Sequence, residues 1–262
     1  MDRRRESLPT RVDGLPPLSS EYHAALDAGL AALPVSLTAA ALTSIDDHVR
    51  LLLAWNRAIN LTAITDPARV ALLHVIDSLT ALPVVRVRRG SARLLDLGSG
   101  GGYPGIPLAA ATSDAEVILI ESIGKKARFL EAAADVAGLG PRVTVVGARA
   151  ETLAAPISQG ELEPFDVVTA RAVGALPDLV RLAFPLLGPG GRLVAWKRGD
   201  IAAEIKAAAR AATPLGGARI TVRPTAVPGL EGHLLVVIEK PAPRGLRATL
   251  GPAAPRGPRT RC

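Results

Sequence analysis

The segment Asp96-Leu97-Gly98-Ser99-Gly100-Gly101-Gly102-Tyr103-Pro104-Gly105 constrains the fold more than any other stretch of this 262-residue chain. It follows a short apolar run, 93–97, and leads into residues with helical spacing. Glycines at such a place let the backbone turn tightly and let a ligand approach bare amide groups. A strand, a glycine turn and a helix in that order belong to parallel α/β sheets, whose ligands sit at the carboxyl ends of the strands. Two phosphate-binding versions of this turn fail here. In the dinucleotide spacing G-x-G-x-x-G, counted from Gly98, the third glycine falls on Tyr103. The Gly-Lys-Ser/Thr ending of the nucleotide phosphate loop is absent as well. What remains is G-x-G-x-G with Asp96 two residues before the first glycine. A carboxylate there repels phosphate and attracts a cationic amino-acid group, which suits a ligand with an amine or sulfonium and no pyrophosphate. Glu121 ends the next apolar run, about twenty residues on, where an acid can accept both hydroxyls of a ribose. Taken alone, it reads equally as a solvated strand end.

The rest of the chain organises around this motif. Residues 1–20 lack periodicity and read as a flexible leader; residues 21–90 read as a helical appendage. Helices are expected at 21–33 and 38–59, the second with Leu42, Ile45, Val49, Leu52 and Leu53 on one face and Thr38 as N-cap. A third begins at Thr65-Asp66-Pro67, a cap followed by proline in the first turn, and stops before Pro83. Residues 91–240 alternate in the α/β manner. Strands are expected at 93–97, 116–121, 142–146, 165–170 and 191–196, with helices near 104–111, 124–137, 176–187 and 200–211. Residues 218–224 and 233–239 read as a closing antiparallel hairpin around Pro228-Gly229. The fold class is therefore α/β, a Rossmann-like, mostly parallel sheet with an antiparallel end and an N-terminal helical appendage.

The formal net charge of +7 suggests nucleic acid at first sight. Residues 240–262 hold six Lys and Arg and no acid, so the remainder carries only 7 − 6 = +1. The Pro- and Gly-rich tail, 241–262, reads as disordered; it either adds nonspecific phosphate attraction or is a solvated extension. The single cysteine, Cys262, excludes an internal disulfide and a cysteine metal cluster. No apolar run approaches about 18 residues free of charge or proline, and the first residues lack a signal-peptide core, so a cytoplasmic protein outside the membrane is expected.

Several blocks in order carry a resemblance. They are Trp55-Asn56-Arg57 with Asn60-Leu61-Thr62, His74 with Asp77-Ser78, the loop Asp96 to Pro107, and Glu121-Ser122 with Lys125-Lys126 and Arg128-Phe129-Leu130. Arg149-Ala150-Glu151, Phe165-Asp166 through Thr169-Ala170-Arg171-Ala172, and Gly190-Gly191 leading to Lys197 complete the set. Over residues 38–240 the chain resembles the class I S-adenosylmethionine-dependent methyltransferases and, more narrowly, the GidB (RsmG) family of bacterial 16S ribosomal RNA guanine-N7 methyltransferases. Arg198 departs from the family's usual run from lysine directly into glycine.

The resemblance implies S-adenosylmethionine as cofactor, held by Gly98, Tyr103, Ala150, Glu151 and Arg171 together with Asp96, Gly100 and Glu121. Ala150 and Glu151 match the pair that reaches the adenine. Arg171 is a cofactor contact in the family; it equally suits the substrate's phosphate or base, or a structural pairing with Asp166 or Glu151. Tyr103 stacks on a base or packs beneath the cofactor. Lys125, Lys126, Arg128 and Lys197 are RNA-binding candidates, against plain solvation. His74 and Asp77 share a helix face and read as a docking surface for the appendage, a catalytic dyad or an RNA contact. No general base is expected, because guanine N7 carries a lone pair and no proton. The expected partner is 16S ribosomal RNA, the small subunit or an assembly intermediate, and the expected state a monomer. Two other functions fit the same fold: methylation of another RNA or a small molecule, and a noncatalytic module in ribosome assembly.

Overall fold

The structure, a computed structural model, describes residues 8–85 and 92–242. The start of the expected leader and nearly all of the basic tail lie outside the described residues. Seven strands form one sheet in the order β3-β2-β1-β4-β5-β7-β6. They are β1 Arg93–Leu97, β2 Glu116–Ile120, β3 Val143–Val146, β4 Phe165–Arg171, β5 Leu187–Arg198, β6 Arg219–Pro224 and β7 His233–Glu239. The first five run parallel; β7 lies antiparallel between β5 and β6. β1 sits near the centre, with Asp96 opposite Leu119 on β2 and Thr169 on β4. The carboxyl ends of β1, β2 and β4 therefore share one edge, where the order turns from falling to rising. That reversal leaves a crevice in any doubly wound sheet.

Ten α-helices accompany the sheet among the described residues. α1 (Ser20–Ala31) and α2 (Ala39–Ile59) open the chain. Thr38 caps α2 by accepting from the Ala41 amide at 3.1 Å, as its position predicts. α3 (Pro67–Val70) starts with the Asp66 cap and Pro67 in its first turn. It then loosens into a π turn over Ala71–Ile76, followed by α4 (Asp77–Leu79) and α5 (Leu82–Val85). Pro83 does not stop the chain from coiling. It stands in the first turn of α5, where proline's missing N–H has no intrahelical partner to lose. Pro67–Val85 is long and apolar enough to cross a membrane by length and composition, with a mean hydropathy of 1.5. Here Val70, Ala71, Val75, Ile76, Leu79 and Leu82 are buried in the protein's own core.

α6 (Gly105–Ala111), α7 (Gly124–Val136), α8 (Ala154–Ser158), α9 (Leu176–Ala183) and α10 (Ala202–Ala212) complete the set. One face of the sheet shares a core with the N-terminal helices: Leu52 and Trp55 pack with Leu94, Ile106 and Phe129. The other face packs Leu95, Leu97 and Val168 against Leu179, Val180 and Ala208 of α9 and α10.

Residues 8–19 fall within the stretch read as a leader, and they lie along α2. Arg50 donates to the carbonyls of Val12, Leu15 and Pro16, and the Trp55 indole donates to Pro9 at 2.6 Å. Three carbonyls on one half-buried guanidinium contribute roughly 1 kcal/mol each. Arg50→Ala is expected to cost about 2–3 kcal/mol and to speed amide exchange in residues 12–18, with little change at the sheet. Unchanged exchange there would show that the segment is held by other contacts.

Candidate active site

The glycine turn follows β1 with Gly98, Gly100 and Gly102 at φ of +61°, +53° and +87°. These left-handed values strain any residue with a Cβ. A Cβ on Gly98 would also stand 3.1 Å from Val173. The Ser99 amide donates to Ile120 O at 3.2 Å and the Gly102 amide to Ser99 O at 2.7 Å, so the turn folds back over the end of β2. There Glu121 accepts from the Gly100 amide at 3.1 Å with one oxygen and from the Ile123 amide at 2.8 Å with the other. The sequence-predicted trio Gly98, Gly100 and Glu121 is thus brought together. Its acid is buried and anchored, and Gly98 is exposed. Ala150 and Glu151 open a short 3-10 turn after β3, the neighbour of β2, with Glu151 exposed at the same sheet edge.

Asp96 takes a different part from the one its charge suggested. It is 0% exposed, and its oxygens accept from the Gly105 amide at 3.2 Å and the Thr169 hydroxyl at 2.7 Å. The carboxylate staples the turn to α6 and β4 rather than facing a ligand. Burial raises its pKa to about 6 against the pull of Thr169 and the other donors.

Tyr103 also turns inward. Its ring is buried between His74, stacked at 4.6 Å with planes 15° apart, and His48 at 4.7 Å. The side chain packs beneath the turn against the appendage, so only its backbone remains for a ligand. His48, on α2, meets Gly101 O at 2.8 Å through Nε2. With a carbonyl as partner, Nε2 must carry the proton. A Cβ on Gly102 would stand 2.7 Å from that nitrogen, so the glycine is what lets the turn seat on the histidine. Burial pushes the His48 pKa down to about 4.

Arg171 ends β4 and points into the appendage. It donates to Leu73 O at 3.0 Å, to Asp77 at 3.3 Å and to His74 Nδ1 at 3.3 Å, and its guanidinium lies 5.3 Å from the Tyr103 ring centre. The structural partner is thus Asp77, not Asp166 or Glu151. Asp166 instead accepts from the Arg93 amide at the opposite end of β4. His74 and Asp77 are not a dyad. The His74 Nε2 faces the Thr62 hydroxyl at 2.7 Å, and the second oxygen of Asp77 faces His233 Nδ1 at 3.0 Å. Together they dock the appendage on the ends of β4 and β7. Burial, with Arg171 beside it, lowers the His74 pKa to about 3, so the imidazole is neutral. It then accepts from Arg171 and donates to Thr62.

The expected RNA cations divide. Lys125 and Arg128 are exposed at the start of α7, directly after the Glu121 loop, and Lys126 is half-buried. Lys197 is only 14% exposed; its ammonium bonds Gly174 O at 2.7 Å and Glu204 at 2.8 Å. Its charge is already compensated, which corrects its reading as a cation waiting for phosphate. Beside Arg171 a cavity of about 300 Å3 opens at the ends of β4 and β5, walled by Ala172, Val173, Gly174, Trp196 and His233.

Three participants escaped the sequence: His48, His233 and Ile123. The first two act across long separations with no local pattern. Ile123 had a signal, an apolar residue two places after the acid, and it is 44% exposed beside Glu121.

Comparison with known proteins finds relatives along most of the chain. Ribosomal RNA small subunit methyltransferase G of Sorangium cellulosum is 49% identical over 67% of this chain and 71% of its own. The protein of that name from Xanthomonas axonopodis pv. citri is 41% identical over 84% of this chain and 96% of its own. An O-methyltransferase from Bacillus cereus, solved in complex with SAH, matches the fold with a TM-score of 0.51 and 20% identity over 87% of this chain and 94% of its own. The profile of the GidB family, described as rRNA small subunit methyltransferase G, matches residues 41–227, and the chain belongs to that family.

Proposed function

We propose that this chain transfers a methyl group from S-adenosylmethionine to N7 of a guanine in 16S ribosomal RNA. The observation that carries the reading is the exposed glycine turn closed by Glu121 at the ends of β1 and β2, with the Arg171 cavity on its other flank. The residues suit the cofactor. Gly98 and Gly100 present backbone with no side chain, and Glu121 lies where ribose hydroxyls can donate to it. Ile123 supplies an apolar cover for an adenine, with Ala150 and Glu151 at its ring edge. When bound, the cofactor supplies a methyl on a sulfonium, an electrophile that needs no activation by the protein.

The chain's task is alignment. N7 of guanine has a lone pair and no proton, so no residue has to hold one; the rate comes from fixing the base in line with the methyl. The cavity at the ends of β4 and β5 lies on the correct side of the turn for that base. Its volume is about 300 Å3, at the lower end of small-molecule sites. Lys125, Lys126 and Arg128 offer phosphate contacts beyond it. The body carries little net charge outside its tail, so shape favours a preassembled particle over long-range attraction to naked RNA.

The test is to map 7-methylguanosine in 16S ribosomal RNA from cells with and without this gene. One position is expected to lose its methyl and regain it when the gene returns. An unchanged map, with labelled methyl appearing only in small molecules, would move the reading to a metabolite methyltransferase.

A further inference from the structure

The turn between β4 and α9, residues 172–175, stands between the two halves of the site. Val173 abuts Gly98 of the glycine turn, and Ala172, Val173 and Gly174 wall the cavity assigned above to the target base. The turn is strained. Ala172 is left-handed at φ +60° and Gly174 lies at +115°. A non-glycine residue in that region persists only where its surroundings force it. On one side Arg171 provides the restraint. On the other the restraint reaches across from α10. Glu204 accepts from the Leu176 amide at 3.0 Å and pairs with Lys197 at 2.8 Å, and Lys197 donates to Gly174 O at 2.7 Å. One carboxylate thus holds the start of α9 directly and the Gly174 carbonyl through a lysine.

We propose that Glu204 is a positioning residue for methyl transfer: it fixes the 172–175 turn, and so the wall of the base cavity, through Lys197 and the Leu176 amide. Glu204 touches neither cofactor nor base. Its side chain is 37% exposed, so its replacement leaves the core alone. The role in transfer rests on the function proposed above; the restraint on the turn does not. Lys197 is then a strut, not a phosphate ligand, and the two roles predict opposite results. Glu204→Gln keeps an acceptor for Leu176 but releases the lysine charge. A phosphate-binding Lys197 would then grip RNA more tightly. A strut would fail.

The experiment compares wild type, Glu204→Gln, Lys197→Met and the double variant in three measurements. The first is amide exchange at residues 172–176, which needs no substrate. It is expected to rise about tenfold or more in all three variants. The second is affinity for S-adenosylmethionine, expected to stay within about twofold. The third is methylation of small ribosomal subunits, expected to fall about tenfold in kcat, the same in each single variant and no lower in the double, because both residues act through one strut. Lys197→Arg, which keeps charge and donors, should restore most of the rate. Wild-type exchange in Glu204→Gln would overturn the proposal. So would a loss confined to Lys197→Met with tighter RNA binding in Glu204→Gln. If the wild type methylates no 16S ribosomal RNA, the functional reading fails by itself and exchange still decides whether the strut exists.

Discussion

Glu121→Ala is expected to weaken S-adenosylmethionine binding by at least about a hundredfold while the protein stays folded. A carboxylate accepting from two ribose hydroxyls contributes roughly 1.5 kcal/mol or more for each bond, and about 3 kcal/mol is two powers of ten in Kd. The loss compounds, because the same two oxygens anchor the Gly100 and Ile123 amides. Without them the glycine turn and the Ile123 loop lose their common fixed point, and the site must be ordered at the expense of binding. Stability changes less. The freed amides lie at the sheet edge, where water can replace the carboxylate. Glu121→Gln should fall between, since one acceptor oxygen survives and the charge is gone. Titration calorimetry with S-adenosylmethionine, beside thermal melts, separates the two effects. Wild-type affinity in a folded Glu121→Ala would remove the cofactor from this crevice altogether.

Glu121 and the glycine turn were legible because their signals are local. Gly98 and Gly100 are needed for φ, and φ is a property of a few neighbouring residues. The same holds for the Thr38 cap, the Asp66-Pro67 start and the alternation that marks β1 to β5. Charge was a poorer guide, since it does not say which way a side chain faces. Asp96 looked like a ligand for an amine and is a buried staple; Lys197 looked like a free cation and is paired. Both corrections depend on contacts 73 residues away, from Thr169 to Asp96, and 23 residues away, from Lys197 to Gly174. The Arg171–Asp77–His233 group needs separations of 94 and 156, and it also needs β7 to insert between β5 and β6. A hairpin is readable from its turn; the sheet edge that it joins is not. The π turn over Ala71–Ile76 left no mark in spacing either, because one widened turn shifts the apolar period too little to detect.

Lowering the pH from 7.5 to 5 is expected to destabilise the protein by roughly 2–3 kcal/mol and to loosen the cofactor site before it unfolds the sheet. Two buried histidines drive the change. His48 and His74 are held neutral, with pKa values near 4 and 3 against an ordinary 6.5. A lowered histidine pKa means that the unfolded chain binds the proton first, so stability is full above about 6.5 and falls as pH drops toward the folded value. At pH 5 each contributes a loss of roughly 2 kcal/mol, or about 4 together. Asp96 opposes them. Its raised pKa, about 6, lets the folded state take up a proton first, which returns roughly 1–1.5 kcal/mol by pH 5. The histidines win, and the balance amounts to a fall in Tm of roughly 5–10 °C for a domain of this size.

The local consequences follow from the partners. A proton on His48 Nδ1 would sit buried with no acceptor. A proton on His74 Nδ1 would face the Arg171 guanidinium at 3.3 Å, donor against donor. Both rings sandwich Tyr103, so the layer under the glycine turn gives way from both sides and cofactor affinity falls over the same pH range. His48→Gln, whose amide can still donate to Gly101 O but does not titrate, should remove roughly three-quarters of the net pH-dependent loss in thermal melts, about 2 of the 2–3 kcal/mol. A Tm that stays flat between pH 7.5 and 5, in wild type and variant alike, would mean that this layer does not couple appendage to site.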